Sequence, residues 1–175
     1  MAELLTVGHG AADRVRLGEL LTEAGVALVV DVRRYPASRT NPDVRREELE
    51  RWLPEYGIAY RWEPRLGGRR HVPAGEPEPD TWWNVAAFRA YAAHTRTAEF
   101  DDALAEVLAG ADRRTTAIMC SESLWWRCHR RLIADVATLG SGVPVAHLMP
   151  DGRLNPHRRA EGARRLPDGH LLWDG

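Results

Sequence analysis

The 175-residue chain contains no lysine: all 24 of its basic residues are arginine, and glutamine is missing as well. Without lysine no side-chain amine can form a Schiff base, which excludes a lysine-linked pyridoxal enzyme. A phosphate loop of the Walker A kind is excluded for the same reason. An all-arginine basic set reflects codon preference as readily as function, so the positions of the arginines say more than their number. Cysteine is scarce. Cys120 and Cys128 are too few for a disulfide scaffold and point to the cytoplasm, where no disulfide between them is expected. No apolar run approaches the roughly 18 residues of a membrane span. Met1-Ala2-Glu3 opens no basic and then apolar leader, so no signal peptide is expected. The net charge of -1 advertises neither nucleic acid nor an anionic membrane as a partner of the whole chain.

What is present is a globular composition, 44% hydrophobic and 28% charged, enough to bury one core. Leu4 to Val7 reads as a strand that runs into Gly8-His9-Gly10. Asp13 can cap a helix carrying Leu17, Leu20 and Leu21 that stops at Gly25. Ala27 to Val30 is a continuous apolar run, the mark of a strand buried on both faces. Arg45 to Trp52 reads as helix and Ile58 to Trp62 as strand. Glu63 to Asp80 is a long irregular segment, which within a domain is usually functional or mobile. Helices are expected over Thr81–His94 and Ala98–Leu108, a strand over Thr115–Cys120, a helix over Cys128–Leu139 and a strand over Val143–Leu148. A small hairpin can turn at Asp168-Gly169. Strands alternating with helices imply a three-layer α/β domain over 1–150, with a mostly parallel sheet of about five strands. A tail, 151–175, packs on it or extends from it.

In parallel sheets ligands bind beyond the carboxyl ends of the strands. By that rule His9, Asp31, Arg33, Cys120 and Glu122 converge on one crevice. Arg127, His129, Arg130 and Arg131 crowd the start of the expected helix, an end that already carries partial positive charge. A bound anion, or a carboxylate from elsewhere in the fold, would make sense of them; pairing with distant acids or pointing into solvent are the plainer alternatives. Cys120, at a strand end beside guanidiniums, reads as a nucleophile or sulfur carrier or else as a small packing residue. Cys128 falls in register with Leu132 and Val136 and reads as packing. Asp31 is either an acid/base group or the structural partner of Arg33. Ser38, Arg39, Gly67, Gly68 and Arg69 offer a hydroxyl, guanidiniums and close-approach backbone suited to phosphate. Trp82, Trp83, Trp125 and Trp126 read as core or lid residues. No metal motif is present, so no cofactor is expected; a metal at Cys120, Cys128 and His129, with His9 and His147 near, is the alternative.

Several of these segments occur together in one known family. The chain resembles the bacterial family called domain of unknown function 488 over about 5–150. The resemblance rests on Thr6-Val-Gly-His9, Asp31-Val-Arg33, Pro36-Ala-Ser38-Arg39, Leu66-Gly67-Gly68-Arg69, Phe88-Arg-Ala-Tyr91-Ala92, Thr97-Ala-Glu99-Phe100, Cys120-Ser-Glu122, Cys128-His129-Arg130 and His147. Gly10 and Trp125-Trp126 depart from the family pattern beside the crevice. The resemblance implies an α/β fold and no established activity. The strand with Asp31 and Arg33, and the Cys120 to Arg130 loop, look more loosely like a rhodanese, although here the first arginine lies seven residues after Cys120.

The expected function is a small cytoplasmic enzyme for an anionic, phosphate-bearing, nucleotide-like substrate, with transfer or hydrolysis chemistry. His9, Asp31, Cys120 and Glu122 are the catalytic candidates. Arg33, Ser38, Arg39, Gly67, Gly68, Arg69, Cys128, His129 and Arg130 are the anion-binding ones. The alternatives are a nucleic-acid-binding module using the Gly-Gly-Arg-Arg loop and the tail arginines, and cysteine-based sulfur transfer. No membrane partner is expected.

Overall fold

Strict alternation of buried side chains across four strands builds the centre of the protein, which the computed structural model describes for residues 3–175. Strands β1 (Leu4–Gly8), β2 (Leu28–Asp31), β3 (Ala59–Trp62), β4 (Thr116–Cys120) and β5 (Val145–Leu148) run parallel, and β6 (Leu154–Pro156) adds antiparallel to β5. The order is β3-β2-β4-β1-β5-β6. Leu5, Val7, Val29, Ala117 and Met119 face helices α1 (Arg14–Glu23) and α2 (Arg46–Trp52). Leu4, Val30, Ile118 and Cys120 face α3 (Ala86–His94), α4 (Ala98–Ala111) and α5 (Arg130–Asp135). Period-two alternation with apolar residues on both sides is what a sheet covered on both faces requires. The three-layer α/β architecture therefore follows, with β6 as a sixth strand.

Local signals set most element ends. Asp13 caps α1 by accepting the Arg16 amide at 2.9 Å, and Gly25, at φ +73°, lets the chain turn away. Thr97 caps α4 through the Phe100 amide.

Three expectations fail for tertiary reasons. The helix expected from Thr81 starts only at Ala86. The Trp82 amide instead donates to the Trp173 carbonyl at 3.0 Å, which ties the segment to the C-terminal hairpin β7 (Ala163–Arg165) and β8 (Leu171–Trp173). The helix expected from Cys128 starts at Arg130 and widens into a π turn over Val136–Gly140. Cys128 is extended (φ -140°, ψ 171°), so it is off the apolar stripe of that helix. Strand β5 starts at Val145, not Val143. The tail contributes β6 and buries Ala160, Leu171 and Trp173 in the core. Among the described residues no helix is long and apolar enough to cross a membrane.

Candidate thiol site at the carboxyl ends of the strands

The register Gly8↔Cys120 and Asp31↔Met119 brings the ends of β1, β4 and β2 side by side. A Cβ on Gly8 would lie 1.8 Å from the Glu122 carbonyl oxygen, so only glycine lets β1 approach the loop after β4 this closely. Above these ends lies a cavity of about 270 Å³, and a wider, more open depression of about 730 Å³ adjoins it. His9, Ser38, Ser121 and Glu122 line both.

The cavity collects most of the residues singled out from sequence: His9, Arg33, Ser38, Gly68, Arg69, Cys120, Glu122, Cys128 and His129, with Arg34 and Tyr35 added. Four others lie elsewhere. Asp31 is fully buried behind the wall. Gly67 is buried too, and a Cβ there would lie 2.8 Å from Arg34 backbone, so it seats the loop. Arg39 is exposed and does not line the cavity. Arg130, expected to grip an anion beside a helix N-terminus at Cys128, is instead 1% exposed and spent on the protein itself.

Arg130 holds the two cysteines. Its Nε–H reaches the Cys120 sulfur at 2.9 Å and the Cys128 sulfur at 3.3 Å. One terminal nitrogen donates to Thr6 Oγ1 at 2.9 Å and the other to the Glu122 carbonyl. The two sulfurs are 3.1 Å apart and not bonded. Cys128 also receives the Arg130 backbone N–H at 3.3 Å. Burial alone would push the Cys128 thiol up, but the Cys120 thiol and the Arg130 guanidinium outweigh it and hold it well below a free cysteine. Burial and then the neighbouring Cys128 sulfur push the Cys120 thiol well up. The two sulfurs thus titrate as a pair in opposite directions, Cys128 the more acidic.

Asp31 and Arg33 form a two-pronged buried pair, 2.8 Å from Nε to Oδ1 and 2.6 Å from NH2 to Oδ2, and the Tyr60 hydroxyl adds a third bond to the carboxylate. The remaining Arg33 nitrogen reaches His9 Nε2 at 3.3 Å, while His9 Nδ1–H donates to the Gly10 carbonyl at 2.9 Å. Burial, with Arg33 beside it, lowers the His9 pKa, so this imidazole is a neutral base. His129 Nε2–H donates to the Val32 carbonyl at 2.9 Å. Among the described residues no group of three or more His, Cys, Asp or Glu is arranged to hold a metal ion. Glu122 accepts the Leu124 amide at 3.2 Å. Arg69 is exposed, lies over the Tyr35 ring and is held in the left-handed region at φ +58°, a conformation that side chains other than glycine adopt at a cost. The arginines considered for nucleic-acid contact divide: Arg70 donates to backbone carbonyls, Arg153 and Arg164 pair with Asp151 and Asp174, and Arg158, Arg159 and Arg165 are exposed.

A doubly covered parallel sheet with a cysteine pair and guanidiniums at its carboxyl edge defines an α/β protein with a thiol-lined cavity. More specifically, the chain belongs to the family described as domain of unknown function DUF488, whose family model matches residues 13–137. No curated protein and no solved structure matches it.

Sequence reasoning missed Asp135 and His157 beside the site, met Thr6 only through the family resemblance, and named His147 only there and in the metal alternative. No local pattern marks them, since they come from four separate segments and meet only through the sheet.

Proposed function

We propose that the protein is an enzyme that takes a small anionic group into this cavity and attacks it with the Cys128 thiolate. The observation that carries the reading is the cradle at Cys128: the Arg130 backbone N–H and the Arg130 Nε–H, the latter shared with Cys120, reach a sulfur that lines an open cavity and lies 3.1 Å from the Cys120 sulfur. Such a sulfur is a nucleophile at neutral pH. Arg34 and Arg69 at the mouth suit a phosphate-sized anion, and the adjoining depression leaves room for the rest of a nucleotide-like substrate. Attack forms a bond from Cys128 sulfur to the electrophilic centre and breaks the bond to the leaving group. Water, giving its proton to the Glu122 carboxylate that lines both spaces, then releases the adduct as a hydrolysis product; an acceptor in place of water makes the reaction a transfer. The reading assumes a reducing, cytoplasmic setting, in which both thiols stay free.

Stable sulfur carriage is less favoured by the same geometry. A persulfide on Cys128 would stand beside the Cys120 thiol 3.1 Å away. That thiol can attack the inner sulfur, close a disulfide and expel hydrosulfide.

The test is alkylation of Cys128 by iodoacetamide at pH 6, read by mass spectrometry, with inorganic phosphate as the competing anion. Phosphate should protect Cys128 in a saturable way, and Arg69→Ala should raise the phosphate needed about fivefold, the loss of one charge-assisted contact. Turnover of phosphomonoesters and phosphodiesters should then vanish in Cys128→Ser. Labelling indifferent to phosphate, or turnover surviving that substitution, overturns the proposal.

A further inference from the structure

Behind the cysteines lies a line of buried polar groups with no part in the chemistry above. Thr6 Oγ1 is 2.5 Å from His147 Nδ1, His147 Nε2 is 2.8 Å from His157 Nδ1, and His157 Nε2 is 2.7 Å from Asp135 Oδ1. Thr6, His147 and Asp135 are each 0% exposed, and the His157 side chain is 1% exposed. Trp125 stacks flat on His147 at 4.3 Å and edge-on against His157 at 5.1 Å, fixing both ring planes. Two buried imidazoles, a threonine and a carboxylate are expensive to desolvate unless every partner is supplied.

Asp135 at the end of this line sets the order of the hydrogens for a neutral His157. Asp135, a carboxylate that only accepts, receives the Trp173 indole N–H at 2.9 Å, the Ala160 amide at 3.2 Å and His157 Nε2–H. In a neutral imidazole the other nitrogen then accepts, so His157 Nδ1 receives His147 Nε2–H. His147 Nδ1 accepts in turn and takes the Thr6 hydroxyl hydrogen. Burial pushes the His147 pKa down to about 2, consistent with a neutral ring at the acceptor end. With its own hydrogen committed to His147, Thr6 can only present lone pairs to Arg130, which is what the guanidinium needs.

We infer that Thr6, His147, His157 and Asp135 are positioning residues that lock Arg130 against the two sulfurs and thereby maintain the Cys128 thiolate. The line does not conduct protons to the sulfurs, because the guanidinium in its path does not give one up. Its function is orientation: each link turns the next until Arg130 has one committed direction. Thr6, His147, His157 and Trp173 lie outside the stretch matched by the family model, so the segments flanking that stretch complete its site. This inference rests on the thiolate reading of the proposed function.

The experiment compares the pH profile of Cys128 alkylation in the wild type, Thr6→Val and Thr6→Ser, with folding checked by circular dichroism and urea titration. Valine keeps the shape and removes the hydroxyl; serine keeps the hydroxyl. Thr6→Val should raise the inflection by about one pH unit. Thr6→Ser should restore the wild-type profile, an outcome that a purely packing role for the methyl group would reverse. Asp135→Asn, remote from the sulfurs, should shift the profile in the same direction and serves if Thr6→Val fails to fold. A wild-type Cys128 that titrates like a free thiol overturns the thiolate reading and this inference with it. A low wild-type inflection that neither Thr6→Val nor Asp135→Asn moves overturns the positioning role alone.

Discussion

At the scale of single residues, the arginines of the site divide by burial into two jobs. Arg130 is internal and bonded at every nitrogen, so Arg130→Ala strips a hydroxyl, a carbonyl and two sulfurs of their partner at once. Removing one member of a buried charged network costs about 3–5 kcal/mol, and a urea titration of that variant should show a loss of this size. Arg69 is the opposite case, exposed and strained at φ +58°. Arg69→Gly should raise stability by about 1 kcal/mol by relieving left-handed strain, while weakening phosphate protection of Cys128. Stability and anion binding moving together would contradict this split. The buried histidines give a pH signature. Burial lowers the pKa values of His9, His94 and His129, and His147 falls to about 2, so the unfolded chain binds more protons than the folded one below its ordinary value near 6.5. Their contribution is complete above that pH and is lost as pH falls. Urea midpoints should therefore drop steadily from pH 7 to pH 4, at about 1.4 kcal/mol per pH unit for each histidine titrating only in the unfolded state. A flat stability over that range would refute the neutral buried assignment.

At the scale of elements, the ends of strands matter more than their middles. Gly8 closes β1 where a Cβ would lie 1.8 Å from the Glu122 carbonyl, the same carbonyl that receives Arg130. Gly8→Ala should therefore do more than strain β1: it should push the loop away and free one nitrogen of Arg130. The variant should lose several-fold in Cys128 labelling at pH 6 even where it remains folded, whereas Gly110→Ala, with nothing within 4 Å, should stabilise α4 by about 0.5–1 kcal/mol. Strands and capped helices were legible because their signals are local. The apolar run at Leu28–Val30 and the cap at Asp13 need nothing from the rest of the fold. The late starts of α3 and α5 were not legible, because Trp82 is claimed by Trp173 and Cys128 by Arg130, partners distant in sequence or specified only by three-dimensional packing.

At the scale of the whole molecule, the tail is a structural member and not an appendage. It supplies β6 to the sheet, the Trp82 and Asp135 partners from Trp173, and His157 to the buried polar line. A chain ending at Pro150 should lose cooperative unfolding and near-ultraviolet circular dichroism, since Asp135 would be left buried without its indole, amide and imidazole donors. A truncated chain that melts like the full one would show the tail to be dispensable. The sequence by itself determined the layered α/β plan, through alternation and caps that act within a few residues, and it named the strand-end residues that gather at the cavity, through the rule that parallel strands present their carboxyl ends together. Tertiary structure alone decided that Arg130 is buried against both sulfurs and that Arg34 and Arg69 line the cavity. Both depend on burial and on donors brought from β1, β5, α5 and the C-terminal hairpin, and a pKa or a desolvation cost belongs to that surrounding, not to the residue.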